Sequence, residues 1–325
     1  MTGHDIIVIG ASAGGVSALA QLARQLPVHF PAAVFITIHI PARTPSMLPN
    51  ILNYAGLLTA LHPDDRAEIA TGHIYVAPSD HHLLVMQGCI RVVKGPKENR
   101  HRPSIDVLFR SAALAYGPRV VGVVLTGSLD DGAAGLLAIH QCGGISVVQD
   151  PKDALYPSMP QSALELVDTD YCLPLAKIGP LLTRLAHEQV DTPLSPIMPK
   201  DLEKEVRIAA METDTLSKNE QVGNPSMLSC PECGGVLWEL QDGTLLRFRC
   251  RVGHAFSADN VLAEQGEIVE RALWVALKTL DEKVELSRRV AEQARKSGSE
   301  WLVQVFERRI QEAVKSAEAI RSLLC

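Results

Sequence analysis

The chain has 325 residues, 46% of them apolar but only 4% aromatic, with a formal net charge of −6, so it can bury a sizeable aliphatic core in one large domain plus something smaller. The negative balance argues against a nucleic-acid binder, which needs a positive surface, and no apolar run approaches the roughly 18–20 residues of a membrane span. Seven unevenly spaced cysteines do not form a disulfide framework, and a first strand under way by Asp5 leaves no room for a signal peptide, so the expected location is cytoplasmic.

In chain order, strands are predicted at Ile6–Ile9, Ala33–Ile38, Ile74–Ala77, Leu83–Met86, Val120–Leu125 and Ile145–Gln149. Helical patterns fall at Val16–Gln25, Met47–Asn53, Asp106–Tyr116 and Ala133–Cys142. This alternation predicts an α/β fold, a mainly parallel doubly wound sheet covered on both faces. "HIYVAPSDHHLLVMQG" reads as an antiparallel hairpin, which would make the sheet mixed. After Leu185 the composition changes. "DTPLSPIMPK" reads as a linker, a polar helical piece and a loose "NEQVGNPS" follow, then a compact Cys/Gly segment over 227–257. From Ala258 onward apolar residues recur at helical spacing, and "KSGSE" divides them into a helical hairpin.

The stretch "IIVIGASAGG" ends a buried strand on a glycine turn and opens a helix. It admits three readings. As Gly10-x-Ser12-x-x-Gly15 it is a dinucleotide fingerprint without its middle glycine, and no acid stands about 20 residues on, where the ribose would need one. As Gly10-x-Ser12-x-Gly14 it is a turn that projects a serine hydroxyl from a strand end, beside free helix N–H groups. As a plain Ser before a helix it is a cap. A serine nucleophile requires a base and a carboxylate to orient that base. "AVFITIHIPART" ends a strand at His39, and "VVGVVLTGSLDDGAAG" presents Asp130 and Asp131 just before a helix. Each has its ordinary alternative, a structural histidine and an N-cap aspartate. Together, three strand ends each offer one member of a triad on the edge where open α/β sheets bind ligands.

The blocks "IGASAGG", "IHIPA", "GHIYVAPSDHHL", "NRHRPSIDVLF", "VVLTGSLDDGAAG" and "QDPKDALYPSMPQSAL", in that order, resemble the catalytic domain of the CheB chemotaxis receptor methylesterases over about residues 5–185. The resemblance implies a Ser-His-Asp enzyme that hydrolyses glutamate methyl esters on chemoreceptors or receptor-like proteins and often deamidates their glutamines. It makes Ser12 the nucleophile, His39 the base and Asp131 the orienting carboxylate, with Ala13 and the turn at Ser128 supporting the oxyanion and no cofactor for catalysis. "TGSLDDG" departs from the family's common "TGMGNDG", with Leu129 in a glycine's place. Asn99, Arg100, His101 and Arg102 are expected near the site or in a structural role. Members of the family usually begin with a receiver domain, and here the catalytic strand starts at residue 5, so control is expected to come from elsewhere. A non-catalytic regulator on the same fold is the alternative.

Cys230-Pro-Glu-Cys233, followed by Cys250 and His254, has the spacing of a zinc ribbon, and four protein ligands predict a closed structural site. A redox C-x-x-C with an unrelated Cys and His is the other reading. The expected organisation is a catalytic domain over 1–185, a linker over 186–226, a zinc-ribbon-like segment over 227–257 and a helical hairpin over 258–325. Partners are expected to be a methylated receptor-type protein, without nucleic acid or membrane insertion.

Overall fold

A computed structural model of the chain describes residues 3–190, 199, 201–212, 223–242 and 245–324. It divides into two compact units, Met1–Asn260 and Val261–Cys325.

The first unit is built on seven strands: β1 (Ile6–Ala11), β2 (Ala33–Ile38), β3 (Thr59–Leu61), β4 (His73–Val76), β7 (Val120–Val124), β8 (Ile145–Gln149) and β9 (Tyr171–Leu173). They lie in the order β3-β4-β2-β1-β7-β8-β9, and every pairing is parallel. Strands covered on both faces need apolar residues at successive positions. In β1, Ile6 and Val8 enter one core while Ile7 and Ile9 enter the other. The second core receives α1 (Gly15–Ala23), α2 (Leu48–Ala55) and α6 (Leu175–Leu185). The first receives α3 (Ile105–Tyr116), α4 (Ala133–Gln141) and α5 (Ser158–Leu166).

The predicted hairpin is formed differently. His73–Val76 is a parallel member of the main sheet, and β5 (His82–Met86) pairs antiparallel with β6 (Cys89–Val93) in a separate two-stranded sheet. The main sheet is therefore not mixed. Leu83, Leu84, Val85 and Ile90 are buried in the α3 side of the core, which explains why the hairpin's residues read as a core strand.

The expected linker also differs. The Pro-rich stretch 191–198 lies outside the described residues, but α7 (Leu202–Ala209) places Leu202, Val206 and Ala209 in the same core as α3. The Cys/Gly segment forms a four-stranded antiparallel sheet of β10 (Asn224–Ser229), β11 (Val236–Asp242), β12 (Leu245–Cys250) and β13 (Ala255–Ser257). It belongs to the same compact unit as the parallel sheet. The second unit is formed by α8 (Ala258–Lys296), whose first residues lie in the first unit, and α9 (Glu300–Leu324). The helices run antiparallel, with ion pairs Arg321–Asp281 at 2.9 Å and Arg295–Glu307. Among the described residues no helix is long and apolar enough to cross a membrane.

Candidate active site

The strand order switches at β1: β2, β4 and β3 lie outward on one side and β7, β8 and β9 on the other. Ligands of open α/β sheets bind at the carboxyl ends of the strands at such a switch point. Ser12 follows β1, His39 follows β2, and Asp131 lies between β7 and α4, so the topology alone brings the three together.

Ser12 sits on a tight turn. Its N–H donates to the Thr126 carbonyl (3.0 Å), and its own carbonyl accepts from the Gly15 N–H (2.9 Å). Gly14 opens α1 at φ +76°, a conformation that disfavours a side chain. The ideal Cβ position of Gly127 is 2.9 Å from the Ser12 Cβ, so the turn after β7 abuts the serine and only glycine fits there. The Ala13 and Ser128 N–H groups make no hydrogen bond among the described residues, which leaves both open to an oxyanion. Leu129 occupies the left-handed region at φ +61°, so the turn keeps a conformation that glycine would adopt without strain.

His39 lies between the other two. Its Nδ1 is 3.0 Å from the Ser12 Oγ, and its Nε2 is 2.7 Å from the Asp131 Oδ2. The His39 and Asp131 side chains are only 5% and 2% exposed. A carboxylate there accepts the Nε2 proton, which fixes the tautomer and turns the Nδ1 lone pair toward the serine hydroxyl. Burial alone would raise the Asp131 pKa, but the His39 hydrogen bond and charge, with His101 and Asn99, hold it well below the usual carboxylate range. Asp131 Oδ1 accepts from Asn99 Nδ2 (2.9 Å), Ser104 Oγ (2.9 Å) and the Asp106 N–H (3.2 Å). Its Oδ2 also accepts from the Ile105 N–H (2.7 Å). The carboxylate thus sits on the positive N-terminus of α3.

Asp130 points elsewhere, accepting from Asn260 Nδ2 at 2.6 Å, and burial pushes it up to about 6. Asp106 accepts from the Gly132 and Gly135 N–H groups and from Asn99 Nδ2. Burial and the neighbouring Asp131 charge push it up to about 7. His101 stacks on His39, with ring centroids 3.5 Å apart and planes 10° apart. Burial, then the His39 charge, lower His101 to about 3, so it stays neutral over the triad imidazole. Arg102 turns away to Asp80 and the Gly95 carbonyl. The sequence reading missed Ser104 and Asp106. Both stand at the start of a helix, where each reads as an ordinary first-turn residue and nothing signals a partner 25 residues on.

Cys230, Cys233, Cys250 and His254 also come together, their ligand atoms all within 4.8 Å of one another. Cys233 Sγ and Cys250 Sγ are 3.7 Å apart, and His254 Nδ1 is 3.7 Å from Cys230 Sγ and 3.5 Å from Cys250 Sγ. A tetrahedral zinc with sulfur at about 2.3 Å and nitrogen at about 2.0 Å has edges of about 3.8 and 3.5 Å, close to these three separations. Hydrogen bonding from Cys230 lowers the Cys250 thiol to about 3 and raises Cys230 in turn, putting a thiolate in the cluster.

A parallel doubly wound sheet with a hydroxyl, an imidazole and a carboxylate in line at its switch point is an α/β framework suited to acyl transfer. The CheB methylesterase family model matches residues 7–182. A Leptospira interrogans protein named for protein-glutamate methylesterase and protein-glutamine glutaminase is 39% identical over 189 residues, 58% of this chain and 98% of that protein. A protein-glutamate methylesterase/protein-glutamine glutaminase of Hydrogenovibrio crunogenus is 41% identical over 179 residues, 54% of this chain and 47% of its own length. The crystal structure of the Thermotoga maritima CheB methylesterase catalytic domain superposes with a TM-score of 0.54 at 32% identity, covering 57% of this chain and all of that one. The chain belongs to the CheB methylesterase family.

Proposed function

We propose that this chain is a protein-glutamate methylesterase that hydrolyses glutamate methyl esters of a chemoreceptor-type protein through Ser12, His39 and Asp131. The observation that carries the reading is the continuous line from Ser12 Oγ to His39 Nδ1 (3.0 Å) and from His39 Nε2 to Asp131 Oδ2 (2.7 Å). Ser12 Oγ attacks the ester carbonyl while His39 takes its proton. The Ser12 N–H is already committed to Thr126, so the oxyanion is met by the Ala13 N–H and the turn at Ser128. Collapse releases methanol, protonated by His39, and leaves the glutamyl group on Ser12. His39 then takes a proton from water, which attacks the acyl-enzyme and frees the glutamate. A glutamine side chain follows the same path with ammonia leaving, which is the glutaminase activity. Asp131 keeps its negative charge throughout and stabilises the imidazolium.

The Cys230, Cys233, Cys250 and His254 cluster is read as a closed structural zinc site, because three of its donor separations are close to tetrahedral edges and four protein ligands would fill the ion's positions. No metal takes part in the ester chemistry as read here.

The test is methanol release from a methylated receptor by the wild type and by Ser12→Ala. The variant should lose about three orders of magnitude or more in turnover with its melting temperature nearly unchanged. Turnover equal to wild type in cleanly purified Ser12→Ala removes this serine from the reaction.

A further inference from the structure

The segment Gly95–His101, "GPKENRH", touches the metal cluster at one end and the triad at the other. On the cluster side, Lys97 Nζ pairs with Glu232 Oε1 at 2.7 Å, inside the Cys230–Cys233 turn. The second turn, Cys250–His254, closes with the Gly253 N–H on the Cys250 carbonyl and the Cys250 N–H on the His254 carbonyl, both 2.9 Å. Gly253 lies at φ +109°, and a Cβ there would come within 2.8 Å of Pro96 and Ile208, so this turn is pressed onto the segment and α7. Ala255, next to the ligand His254, donates its N–H to the Lys97 carbonyl (3.2 Å) and accepts from the Asn99 N–H (2.8 Å). The Ser257 N–H donates to Asn99 Oδ1 (3.0 Å).

On the triad side, Asn99 Nδ2 donates to both Asp131 Oδ1 and Asp106 Oδ2, and His101 stacks on His39. Both Nδ2 hydrogens of the Asn99 amide are therefore used by the carboxylates, and its Oδ1 accepts from the ribbon. The turn that carries this amide is strained. Asn99 and Arg100 lie at φ +48° and +72°, in the left-handed region that side chains disfavour. Such a conformation persists only where its surroundings hold it, and here the β13 backbone does the holding.

We propose that metal occupancy of the Cys230–Cys233–Cys250–His254 site controls ester turnover, by fixing through residues 95–101 the placement of Asp131 and His39. This rests on the reading of Ser12, His39 and Asp131 as the reacting groups. A knuckle of this kind is ordered by its metal, and a divalent zinc-like ion suits three thiolates and an imidazole. When the ion leaves, the two turns lose their cross-link, β13 loosens, and the strained turn relaxes away from Asp131. Asn99 is in this view a positioning residue, with no contact to substrate.

The experiment uses the full chain loaded with Zn²⁺, one equivalent by metal analysis. A chelator strips the ion and added Zn²⁺ restores it. Three quantities are followed: kcat and KM on a small model ester, the low-field proton resonance of the His39 Nε2–H shared with Asp131, and far-ultraviolet circular dichroism. Stripping should lower kcat on the order of 10- to 100-fold, leave KM within about twofold, and broaden or shift the resonance while the helical signal persists. All three should return with Zn²⁺. Asn99→Ala in the metal-loaded protein should give the same kcat loss with zinc content intact, and it decides the matter if the stripped chain unfolds. An unchanged kcat and resonance in stripped protein, or an unchanged kcat in Asn99→Ala, overturns the inference. Turnover surviving Ser12→Ala would instead remove the triad reading, while the metal dependence of the resonance could still be measured.

Discussion

At the scale of the residue, the site turns on how much surrounds a single carboxylate. Asp131 is nearly out of water, and two side-chain donors besides His39, with two helix N–H groups, replace what it has lost. His101 closes the remaining face of His39 without adding charge, since its own pKa lies at about 3. His101→Ala would let water onto that face, and with ring stacking worth roughly 0.5–1.5 kcal/mol kcat should fall about 3- to 10-fold. His101→Phe, flat and neutral, should restore most of that loss. The sign of the acid dependence follows. The folded state holds this imidazole neutral down to pH about 3, while an unfolded one takes a proton near pH 6.5. Acidification between those values therefore favours unfolding, and His101→Phe should lose less stability than wild type over that window. Urea midpoints at pH 4 and pH 7 measure it, and an unchanged acid response would show that His101 is protonated in the fold. Much of this site was legible in the sequence because its members follow strand ends, Ser12 and Asp131 near glycines and His39 just before Pro41. What was not legible was the choice between Asp130 and Asp131 on physical grounds. Both precede the same helix, and only the three-dimensional turn sends one to His39 and the other to Asn260.

At the scale of the element, the long apolar strands and the periodic helices could be read directly, since burial on both faces writes itself into consecutive residues. The three-residue edge strands β3 and β9 are too short to show a period. Pro180 stands inside α6 and argues locally against a helix that tertiary packing nonetheless forms. Helix α7 was expected only as a polar helical piece in the linker. Glu205 is in fact buried, accepting from Arg247 (2.6 Å) and Arg249 (3.3 Å), with Arg110 Nε at 3.1 Å. Arg110 and Arg249 also pair with Glu98. This cluster joins α3, α7, β12 and the loop beside Asn99, and charge partners so far apart in the chain leave no pattern in it. Removing one partner of a buried ion cluster costs about 3–5 kcal/mol, so Glu205→Gln should lose that much at pH 7. Burial opposes its charge, but the three arginines hold Glu205 below the ordinary range, and Glu98 is lowered by Arg110 and Arg249. Their contribution is complete above the unfolded value of about 4.3 and is lost as pH falls toward the lower folded values. Glu205→Gln should accordingly flatten the acid limb of the stability curve. A Glu205→Gln protein with the wild-type urea midpoint at pH 7 would mean the cluster contributes nothing net.

At the scale of the whole molecule, the family match ends at residue 182, yet the first compact unit runs on to Asn260. The Leptospira relative is almost wholly accounted for by the matched segment, so the family's fold does not in general require a ribbon. In this chain the ribbon and α7 have become part of the site's support, because Glu98, Asn99 and Arg110 spend their hydrogen bonds and charges on them. Two shortened chains separate the contributions. One ending at Gly266, just past the first unit, keeps every contact described around Asp131 and should turn over a small model ester within about threefold of the full chain. One ending at Leu185 strips Val206 and Ala209 from the core, leaves Glu98 and Arg110 without Glu205 or Arg249, and deprives Asn99 of the Ser257 N–H. With the triad loosened by roughly an ångström, the expected loss is on the order of 100-fold, accompanied by a lower melting temperature. The helical unit has its own expected role. Trp274 and Trp301 are 53% and 72% exposed, and exposed aromatics of that size are enriched where partners bind. The Gly266 chain should therefore match the full chain on the small ester but act more weakly on a methylated receptor, seen as a raised KM at unchanged kcat. A gain on the small ester after removing 267–325 would identify the helices as a cover for Ser12, and full activity in the Leu185 chain would show that the ribbon holds nothing the reaction needs.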